Sequence, residues 1–278
     1  MSISKIKIPL VNETFVSVTA YTLPLITSQD KNFPGIILCA GGSFMHLSER
    51  ENTFAALAFQ SRGFNVYALN YSLLSTGTLP LYPKPLHELA MTISFIRKNS
   101  KKFNQDPNKI TIMGFSAGGH IVSALSGTWS TVKLTSELQL KKDDIQPNAQ
   151  ILAYPLTDLT TFFRDDANKI DAITDIPELI NTQKLINSKV PPTFIWNSYT
   201  DKNVPLNNTL GYINQLAKNK IPFESHIFSS GIHGTVLANS LTARLEKGAA
   251  DIDNHVAKWV DLSVEWLLQQ FSSSENLN

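Results

Sequence analysis

Five short apolar runs recur along the chain, and they constrain its fold more than any other feature of the sequence. Each is a continuous stretch of four to six residues in which apolar and polar positions do not alternate. The runs are Gly35–Ala40, Val66–Leu69, Ile110–Met113, Ile151–Tyr154 and Thr193–Trp196. Continuous apolar strands are typical of a parallel sheet that is covered on both faces. We therefore expect these runs to be buried parallel strands.

Helical patterns lie between and after the runs. Apolar residues recur at the spacing of an amphipathic helix from Leu86 to Ile93, and again from Val256 to Phe271. Residues 48–51 have the spacing of a capping box, which predicts the start of another helix. Residues 15–23 alternate in the manner of an edge strand. Strand and helix in alternation indicate an α/β fold, with a mostly parallel central sheet flanked by helices.

The domain organisation follows from composition and from one interruption. The 278 residues hold no repeat or flexible linker, and 42% of them are apolar against 17% charged, which excludes a disordered chain. We expect a single domain over residues 1–278. Residues 157–190 interrupt the alternation with a mixed acidic and apolar segment, which we interpret as a small partial cap over the active-site face.

The net charge and the cysteine content limit which partners and cofactors the chain can bind. Twenty-four Lys and Arg against twenty-three Asp and Glu give a net charge of +1, which is too little for a nucleic-acid binder. The single cysteine, Cys39, cannot form an intrachain disulfide, and its place at the end of an apolar run indicates a core residue. No cluster of side chains points to a metal ion or an organic cofactor.

The N-terminus and the lengths of the apolar runs bear on localisation. The first ten residues lack the apolar core of a signal peptide, and no run approaches the roughly 20 residues that cross a bilayer. We therefore expect a cytoplasmic protein without a membrane partner. The oligomeric state is not readable from the sequence, and a homo-oligomer stays open.

The most informative motif lies where one apolar run ends. The stretch Gly114–Gly118, Gly-Phe-Ser-Ala-Gly, follows the run Ile110–Met113 and precedes a helical pattern. Strand, G-x-S-x-G and helix in this order define a nucleophile elbow, a turn so tight that its serine is strained and the residues two away must be small. The positive end of the following helix then lies behind the serine. We predict that Ser116 is a nucleophile.

A serine nucleophile needs a general base and a carboxylate that orients the base. After such an elbow they follow in the order Asp or Glu, then His. His233 lies in a glycine-flanked loop after the alternating run 223–228, and it is the best candidate for the base. Asp201 follows the run Thr193–Trp196 and is the candidate acid. Asp158, after the preceding run, is the alternative.

Two backbone N–H groups should stabilise the oxyanion that forms. One belongs to the residue after the nucleophile, Ala117. The other is expected from the loop after the run Gly35–Ala40, where glycines allow a close approach to the reacting carbonyl. Gly42 and Ser43 are the candidate donors in this loop.

In these motifs the chain resembles the α/β-hydrolase esterases, specifically the acetyl-esterase and acetyl-xylan-esterase-like branch related to hormone-sensitive-lipase-type enzymes. The likeness runs from about residue 35 to residue 240. It rests on Asp106–Ile110 leading into Gly114–His120, Tyr82–Leu86, Asp201 with Val204-Pro205, and Gly231–Gly234. In one departure, Ala-Gly-Gly-Ser at residues 40–43 stands where the family often has His-Gly-Gly-Gly or Pro-Gly-Gly-Gly.

The resemblance implies a serine carboxylesterase that works without a metal or an organic cofactor. His233 would take the proton of Ser116 as its hydroxyl attacks an ester carbonyl, and water would later release the acid from the acyl-enzyme. Two alternatives stay open. One is a peptidase on the same fold, and the other is a hydrolase-like protein that binds a ligand without turnover.

The predicted cap favours a small substrate. It intersperses aspartates among its apolar residues and offers no long apolar stretch to shelter a fatty chain. These aspartates are Asp158, Asp165, Asp166, Asp171 and Asp175. Phe44, Phe162 and Phe163 are bulky enough to close an acyl pocket after a few carbons, although core packing is the commoner fate of such residues. We expect the partner to be a small-molecule ester with a short acyl chain, such as acetate on a carbohydrate or on a small alcohol.

Overall fold

Eight strands form one central sheet in the computed structural model, which describes residues 2–11, 14–25, 32–77, 79–163 and 166–275. The strands are β1 (Ser2–Pro9), β2 (Phe15–Thr22), β3 (Phe33–Cys39), β4 (Asn65–Asn70), β5 (Gln105–Phe115), β6 (Ala149–Ala153), β7 (Thr193–Ser198) and β8 (Phe223–Phe228). Their order across the sheet is β1-β2-β4-β3-β5-β6-β7-β8. The first two pairings are antiparallel and the other five are parallel. The predicted mostly parallel sheet is confirmed.

The edge of the sheet differs from the prediction. Residues 15–23 were expected to form an edge strand, but β1 covers β2 and takes the edge itself. One face of the strand β1 is exposed to solvent, since Lys5 and Lys7 are exposed while Ile8, on the other face, is buried. Charged residues on an edge strand discourage pairing with further chains.

Both faces of the sheet are covered, which is the reason for the continuous apolar runs. Successive side chains of a strand point to opposite faces. In β3, Ile37 and Cys39 lie in one hydrophobic cluster, while Ile36 and Leu38 lie in the other. Most positions of a strand that is buried on both sides are therefore apolar, and a buried polar residue such as Gln150 of β6 is hydrogen-bonded to other side chains.

Helices cover the two faces. They are α1 (Ala56–Gln60), α2 (Lys84–Lys98), α3 (Ala117–Thr128), α4 (Val132–Leu138), α5 (Lys142–Ile145), α6 (Leu159–Phe163), α7 (Ala167–Ile173), α8 (Asn207–Lys218) and α9 (Trp259–Glu275). Helices α2 and α3 pack on one face, and α1 and α9 pack on the other through Phe59 and Trp259. The helices predicted around Leu86–Ile93 and Val256–Phe271 are present, the second after a 3-10 turn at Val256–Lys258. Among the helices that the structure describes, not one combines the length and the apolarity that crossing a bilayer requires.

The capping box predicted at residues 48–51 does not form. A π-helical turn at Arg50–Ala55 leads into α1, and no side chain caps its N-terminus. The backbone carbonyl of Ser48 accepts from the N–H groups of Glu51 and Asn52 instead. The carboxylate of Glu51 is turned away from the helix N-terminus because it has buried partners elsewhere, as described below.

The segment 157–190 joins β6 to β7 and holds α6, α7 and two 3-10 turns. Its apolar side chains, among them Ile173 and Leu179, belong to one hydrophobic cluster of the sheet. Its backbone also holds the chain before α2, since the N–H groups of Leu81 and Tyr82 donate to carbonyls of α7 at 2.9 and 2.8 Å. The single domain and the role of this segment as a cap stay predictions.

Candidate active site

Ser116 lies between β5 and α3 in a strained backbone conformation, with φ +50° and ψ −117°. The glycines two residues away are required by close contacts. A Cβ on Gly114 would lie 2.4 Å from the carbonyl oxygen of Gly118, and a Cβ on Gly118 would lie 2.1 Å from that of Cys39. The N–H of Ser116 donates to the carbonyl of Ala153 at 3.1 Å, which ties the turn to the neighbouring strand. This is the geometry predicted for a nucleophile elbow.

A continuous chain of hydrogen bonds joins the three predicted side chains. Oγ of Ser116 lies 2.8 Å from Nε2 of His233, and Nδ1 of His233 lies 2.7 Å from Oδ2 of Asp201. The other carboxylate oxygen of Asp201 accepts the backbone N–H groups of Asn203 and Val204 at 2.9 and 3.0 Å. A carboxylate only accepts, so it holds the ring proton on Nδ1 and leaves Nε2 free to accept from the serine.

The alternative acid, Asp158, is occupied elsewhere. Its Oδ1 accepts from the N–H and hydroxyl of Thr160 at 3.0 and 2.7 Å, and its Oδ2 accepts from Nδ2 of Asn181 at 2.7 Å. These bonds cap α6 and fasten the segment 157–190. The structure therefore pairs His233 with Asp201 and not with Asp158.

The loop that carries His233 is held by two arginines that the sequence analysis did not identify. Nη2 of Arg244 donates to the carbonyl of His233 at 2.8 Å, and Nη2 of Arg50 donates to that of Gly234 at 2.9 Å. Arg244 is in turn paired with the buried Asp251 at 2.7 Å. Burial alone would raise the pKa of Asp251, but the hydrogen bonds and charge of Arg244 outweigh burial and hold this pKa below its ordinary value.

The loop 40–44, here called the oxyanion loop, offers two of the predicted donors. The N–H of Gly41 is already used, because it donates to Oε2 of Glu51 at 2.5 Å. Against every residue that the structure describes, the N–H groups of Gly42 and Ser43 meet no acceptor. Ala117 is the first residue of α3, where backbone N–H groups have no partner within the helix. These three N–H groups stay the candidates for the oxyanion hole.

Glu51 and Tyr154 also belong to the site, and the sequence analysis missed both roles. The hydroxyl of Tyr154 donates to Oε1 of Glu51 at 2.9 Å, and its ring packs edge-on against the imidazole of His233 with centroids 5.1 Å apart. Burial raises the pKa of Glu51, and the hydrogen bonds from Gly41 and Tyr154 offset part of that rise. The sequence signal at Glu51 was its capping-box spacing from Ser48, which points to a helix N-terminus and not to this site.

The predicted pocket residues lie in different surroundings. Phe44 has no exposed surface and packs edge-on against His120 at 5.8 Å, so it lies in the core and not on an open pocket. Phe162 and Phe163 are partly exposed and contact each other at 4.8 Å. His120 of α3 is fully buried and bonded to the hydroxyl of Tyr82 at 2.9 Å. Burial lowers the pKa of His120 to about 3, so it stays neutral.

Cys39 lies in the core, as predicted, and is not a reactive thiol. Its thiol is buried at the end of β3, and burial raises its pKa, which keeps the reactive thiolate from forming. Within the described part of the chain, no three His, Cys, Asp or Glu side chains are grouped so that they could hold a metal ion.

The fold and the elbow define the class of this protein. A mostly parallel eight-stranded sheet with a Ser, His and Asp assembled at the carboxyl ends of its strands is an α/β-hydrolase. The chain belongs to the BD-FAE family, whose family model matches residues 23–216. The resemblance to α/β-hydrolase esterases of the acetyl-xylan-esterase-like branch is thereby confirmed.

Known proteins resemble this chain in sequence and in structure. The crystal structure of a carboxylesterase from Lactobacillus plantarum is 31% identical, has a TM-score of 0.90, and matches 97% of this chain and 98% of its own. Endo-1,4-beta-xylanase B of Butyrivibrio fibrisolvens is 32% identical over 73% of this chain, and an acetylxylan esterase of Xylanibacter ruminicola is 26% identical over 72%. The matches span only 33% and 40% of the length of these two relatives.

Proposed function

We propose that this chain is a serine carboxylesterase that hydrolyses short-chain acyl esters, with acetyl esters of carbohydrates or of small alcohols as its substrates. The observation that carries the proposal is the hydrogen-bonded chain from Ser116 through His233 to Asp201 at a nucleophile elbow. The names of the relatives, carboxylesterase and acetylxylan esterase, support the same bond class.

The reaction proceeds in two halves through an acyl-enzyme. Oγ of Ser116 attacks the ester carbonyl carbon while Nε2 of His233 takes the hydroxyl proton. The carbonyl oxygen becomes an anion, which the N–H of Ala117 and that of Gly42 or Ser43 stabilise. Nε2–H then protonates the leaving alcohol. A water molecule, deprotonated by the same nitrogen, attacks the acyl-enzyme and releases the carboxylic acid.

The substrate proposal rests on the segment 157–190 and on the names of two relatives. Phe162 and Phe163 are the candidate walls of a short acyl pocket, because they are partly exposed and fixed against each other. Asp171 and Asp175 are exposed on the same segment, where hydroxyl groups of a sugar could reach them. Asp158 and Asp166 instead cap helices of this segment, and Asp165 lies outside the described residues.

A series of p-nitrophenyl esters tests the acyl length. In a long apolar pocket each further methylene would contribute about 0.8 kcal/mol, which is roughly a fourfold gain in kcat/KM. We expect the opposite trend, with a maximum at acetate to butyrate and a collapse by octanoate. Ser116→Ala serves as the blank for every ester. A maximum at decanoate would refute the short-acyl proposal.

Two further substrates separate the remaining alternatives. Acetylated xylo-oligosaccharides should release acetate, and turnover of simple esters without any sugar deacetylation would reject the carbohydrate part alone. A matched acetyl-p-nitroanilide should be cleaved far more slowly than the ester, because its amide is the harder bond to break. Comparable rates would favour a peptidase, and an inert wild-type protein would favour a binding protein without turnover.

A further inference from the structure

We infer that Glu51 is a positioning residue of the catalytic machinery, whose carboxylate links the oxyanion loop to the aromatic wall behind His233. The inference rests on the proposed function, because it assigns a role within the same reaction. Glu51 is 3% exposed and lies in the π-helical turn that leads into α1. π-Helical turns inside helices are frequent at functional sites, where they aim a side chain that a regular helix would place elsewhere.

The first link of Glu51 is to the oxyanion loop. Its Oε2 accepts the N–H of Gly41, and this glycine lies directly against the nucleophile. A Cβ on Gly41 would lie 2.9 Å from Oε2 of Glu51 and equally close to Cβ of Ser116. The carboxylate thus binds the N–H of a glycine that packs against Ser116. It thereby fixes the peptide from which the next N–H groups, those of Gly42 and Ser43, project.

The second link of Glu51 is to the wall behind the base. Its Oε1 accepts the hydroxyl of Tyr154, whose backbone adopts φ +38° and donates its N–H to the carbonyl of Trp196 at 2.8 Å. The ring of Tyr154 makes T-shaped contacts with both Trp196 and the imidazole of His233, with ring centroids 5.0 and 5.1 Å apart. A tyrosine held at both ends limits how far the imidazole can tilt from Ser116.

The carboxylate also adds a charge to the surroundings of His233. Asp201 faces Nδ1 of the ring and Ser116 faces Nε2, while the edge-on Tyr154 covers one side. Arg244 donates to the backbone carbonyl of His233, and Arg50 donates to that of the next residue, Gly234. These two cations oppose protonation of the ring. The charge of Glu51 favours it.

The charge matters most in the transition state, because the imidazole becomes an imidazolium only when the serine proton moves. An interaction that strengthens only there raises kcat and leaves KM unchanged. Each oxygen of Glu51 accepts one donor, from Gly41 and from Tyr154, and this arrangement suits the ionised form.

A second buried glutamate provides a matched control. Glu88 of α2 is 2% exposed, and it accepts the N–H and the hydroxyl of Ser72 at 2.7 and 2.5 Å. Burial raises its pKa, as it does for Glu51. Glu88 therefore has the same burial and the same kinds of donors, but none of its hydrogen bonds reaches Ser116, His233 or the oxyanion loop.

The experiment compares Glu51→Gln, Tyr154→Phe and Glu88→Gln in the full chain. The new amide at 51 keeps the volume and an acceptor for Gly41 but removes the charge, whereas Tyr154→Phe removes one hydroxyl and keeps the charge. The readouts are kcat and KM for p-nitrophenyl acetate, the pH profile of kcat/KM, the rate at which a fluorophosphonate labels Ser116, and the melting temperature.

We expect Glu51→Gln to lower kcat by about 10- to 100-fold with KM within about threefold of wild type. Labelling of Ser116 should slow in parallel, and the acid limb of the profile should move to lower pH by about half a unit or more, because the ring loses a neighbouring negative charge. Tyr154→Phe should lower kcat less than Glu51→Gln does, and the acid limb of its pH profile should stay at the wild-type position. Glu88→Gln should keep the wild-type kcat and limb, whatever its melting temperature.

The outcomes separate this inference from the proposed function. The inference is overturned if Glu51→Gln folds, keeps kcat within threefold of wild type and leaves the acid limb of the pH profile at its wild-type position. An equal loss of kcat in Glu88→Gln would also overturn it. If Glu51→Gln does not fold, an unchanged kcat in Tyr154→Phe overturns it. A wild-type protein that neither hydrolyses esters nor reacts with the fluorophosphonate would instead remove the proposed function, and the role of Glu51 with it.

Discussion

Asp201→Asn is the sharpest test of the proposed catalytic triad of Ser116, His233 and Asp201, because the structure determines how the new amide must lie. The Oδ1 position accepts two backbone N–H groups, from Asn203 and Val204, so an NH₂ group there would face two donors. The amide oxygen therefore keeps that place, and the NH₂ group takes the position 2.7 Å from Nδ1 of His233. Because the amide donates there, Nδ1 must accept, and the ring proton moves to Nε2. Such an imidazole cannot take the proton of Ser116.

The size of the effect follows from this tautomer change. A base locked in the wrong tautomer lowers kcat by a factor on the order of 10⁴, which is about 5.4 kcal/mol in activation free energy. The fold should persist, since the amide has the shape of the carboxylate and keeps both backbone hydrogen bonds. The assay is kcat for p-nitrophenyl acetate, with the melting temperature measured on the same preparation.

Asp158→Asn is the matched control for this change. Its carboxylate caps α6 and binds Asn181 at 2.7 Å, and its hydrogen bonds go to residues other than Ser116, His233 and Asp201. We expect kcat to stay within about threefold of wild type while stability falls by about 1 kcal/mol. A variant at 201 that retains more than a tenth of wild-type kcat would refute the tautomer argument. A larger loss at 158 than at 201 would transfer the acid role to Asp158.

Two further predictions concern a glycine and a buried acid. Gly42 has φ +128°, and a Cβ there would lie 2.0 Å from the carbonyl oxygen of His46. Gly42→Ala should therefore displace the oxyanion loop and lower kcat by about 10²- to 10³-fold. The control Gly63→Ala, at φ +92° with open space around it, should leave kcat unchanged, and equal losses of kcat in the two variants would contradict this reasoning. Burial raises the pKa of Glu88 in the folded chain above its ordinary value of 4.5. The folded chain therefore holds this proton more tightly than the unfolded chain does, and the free energy of unfolding falls as the pH rises and Glu88 ionises. Relative to wild type, the melting temperature of Glu88→Gln should therefore improve from pH 5 to pH 8, and a pH-independent difference would count against a raised pKa.

The parts of the site that the sequence predicted are those fixed by local geometry and by strand order. The spacing of Gly114, Ser116 and Gly118 is sufficient for the elbow, because each glycine is required by a contact within a few residues or with the adjacent strand. Asp201 and His233 follow neighbouring strands β7 and β8. The carboxyl ends of parallel strands meet at one edge of a sheet, so the order of the chain brings these side chains together.

The parts that the sequence did not predict depend on contacts between distant segments. The alternation in β1 is visible, but only the pairing with β2 shows that residues 15–23 are not the edge. The bulk of Phe44 predicts a pocket wall, yet the oxyanion loop turns with positive φ at Ser43 and Phe44, and the ring lies in the core. A sequence gives no sign of such a turn when the residue that adopts it is not glycine.

Glu51 shows why a correct local pattern can still predict the wrong partner. The spacing from Ser48 offers this carboxylate the N-terminus of a helix, where water can satisfy unpaired N–H groups at little cost. Its actual donors are the N–H of Gly41, ten residues away, and the hydroxyl of Tyr154, 103 residues away, and both are buried. A buried donor without an acceptor costs about 1–3 kcal/mol, more than a cap at a solvated helix end contributes. The carboxylate therefore binds donors that water cannot reach, and one of them, the N–H of Gly41, lies beside Ser116.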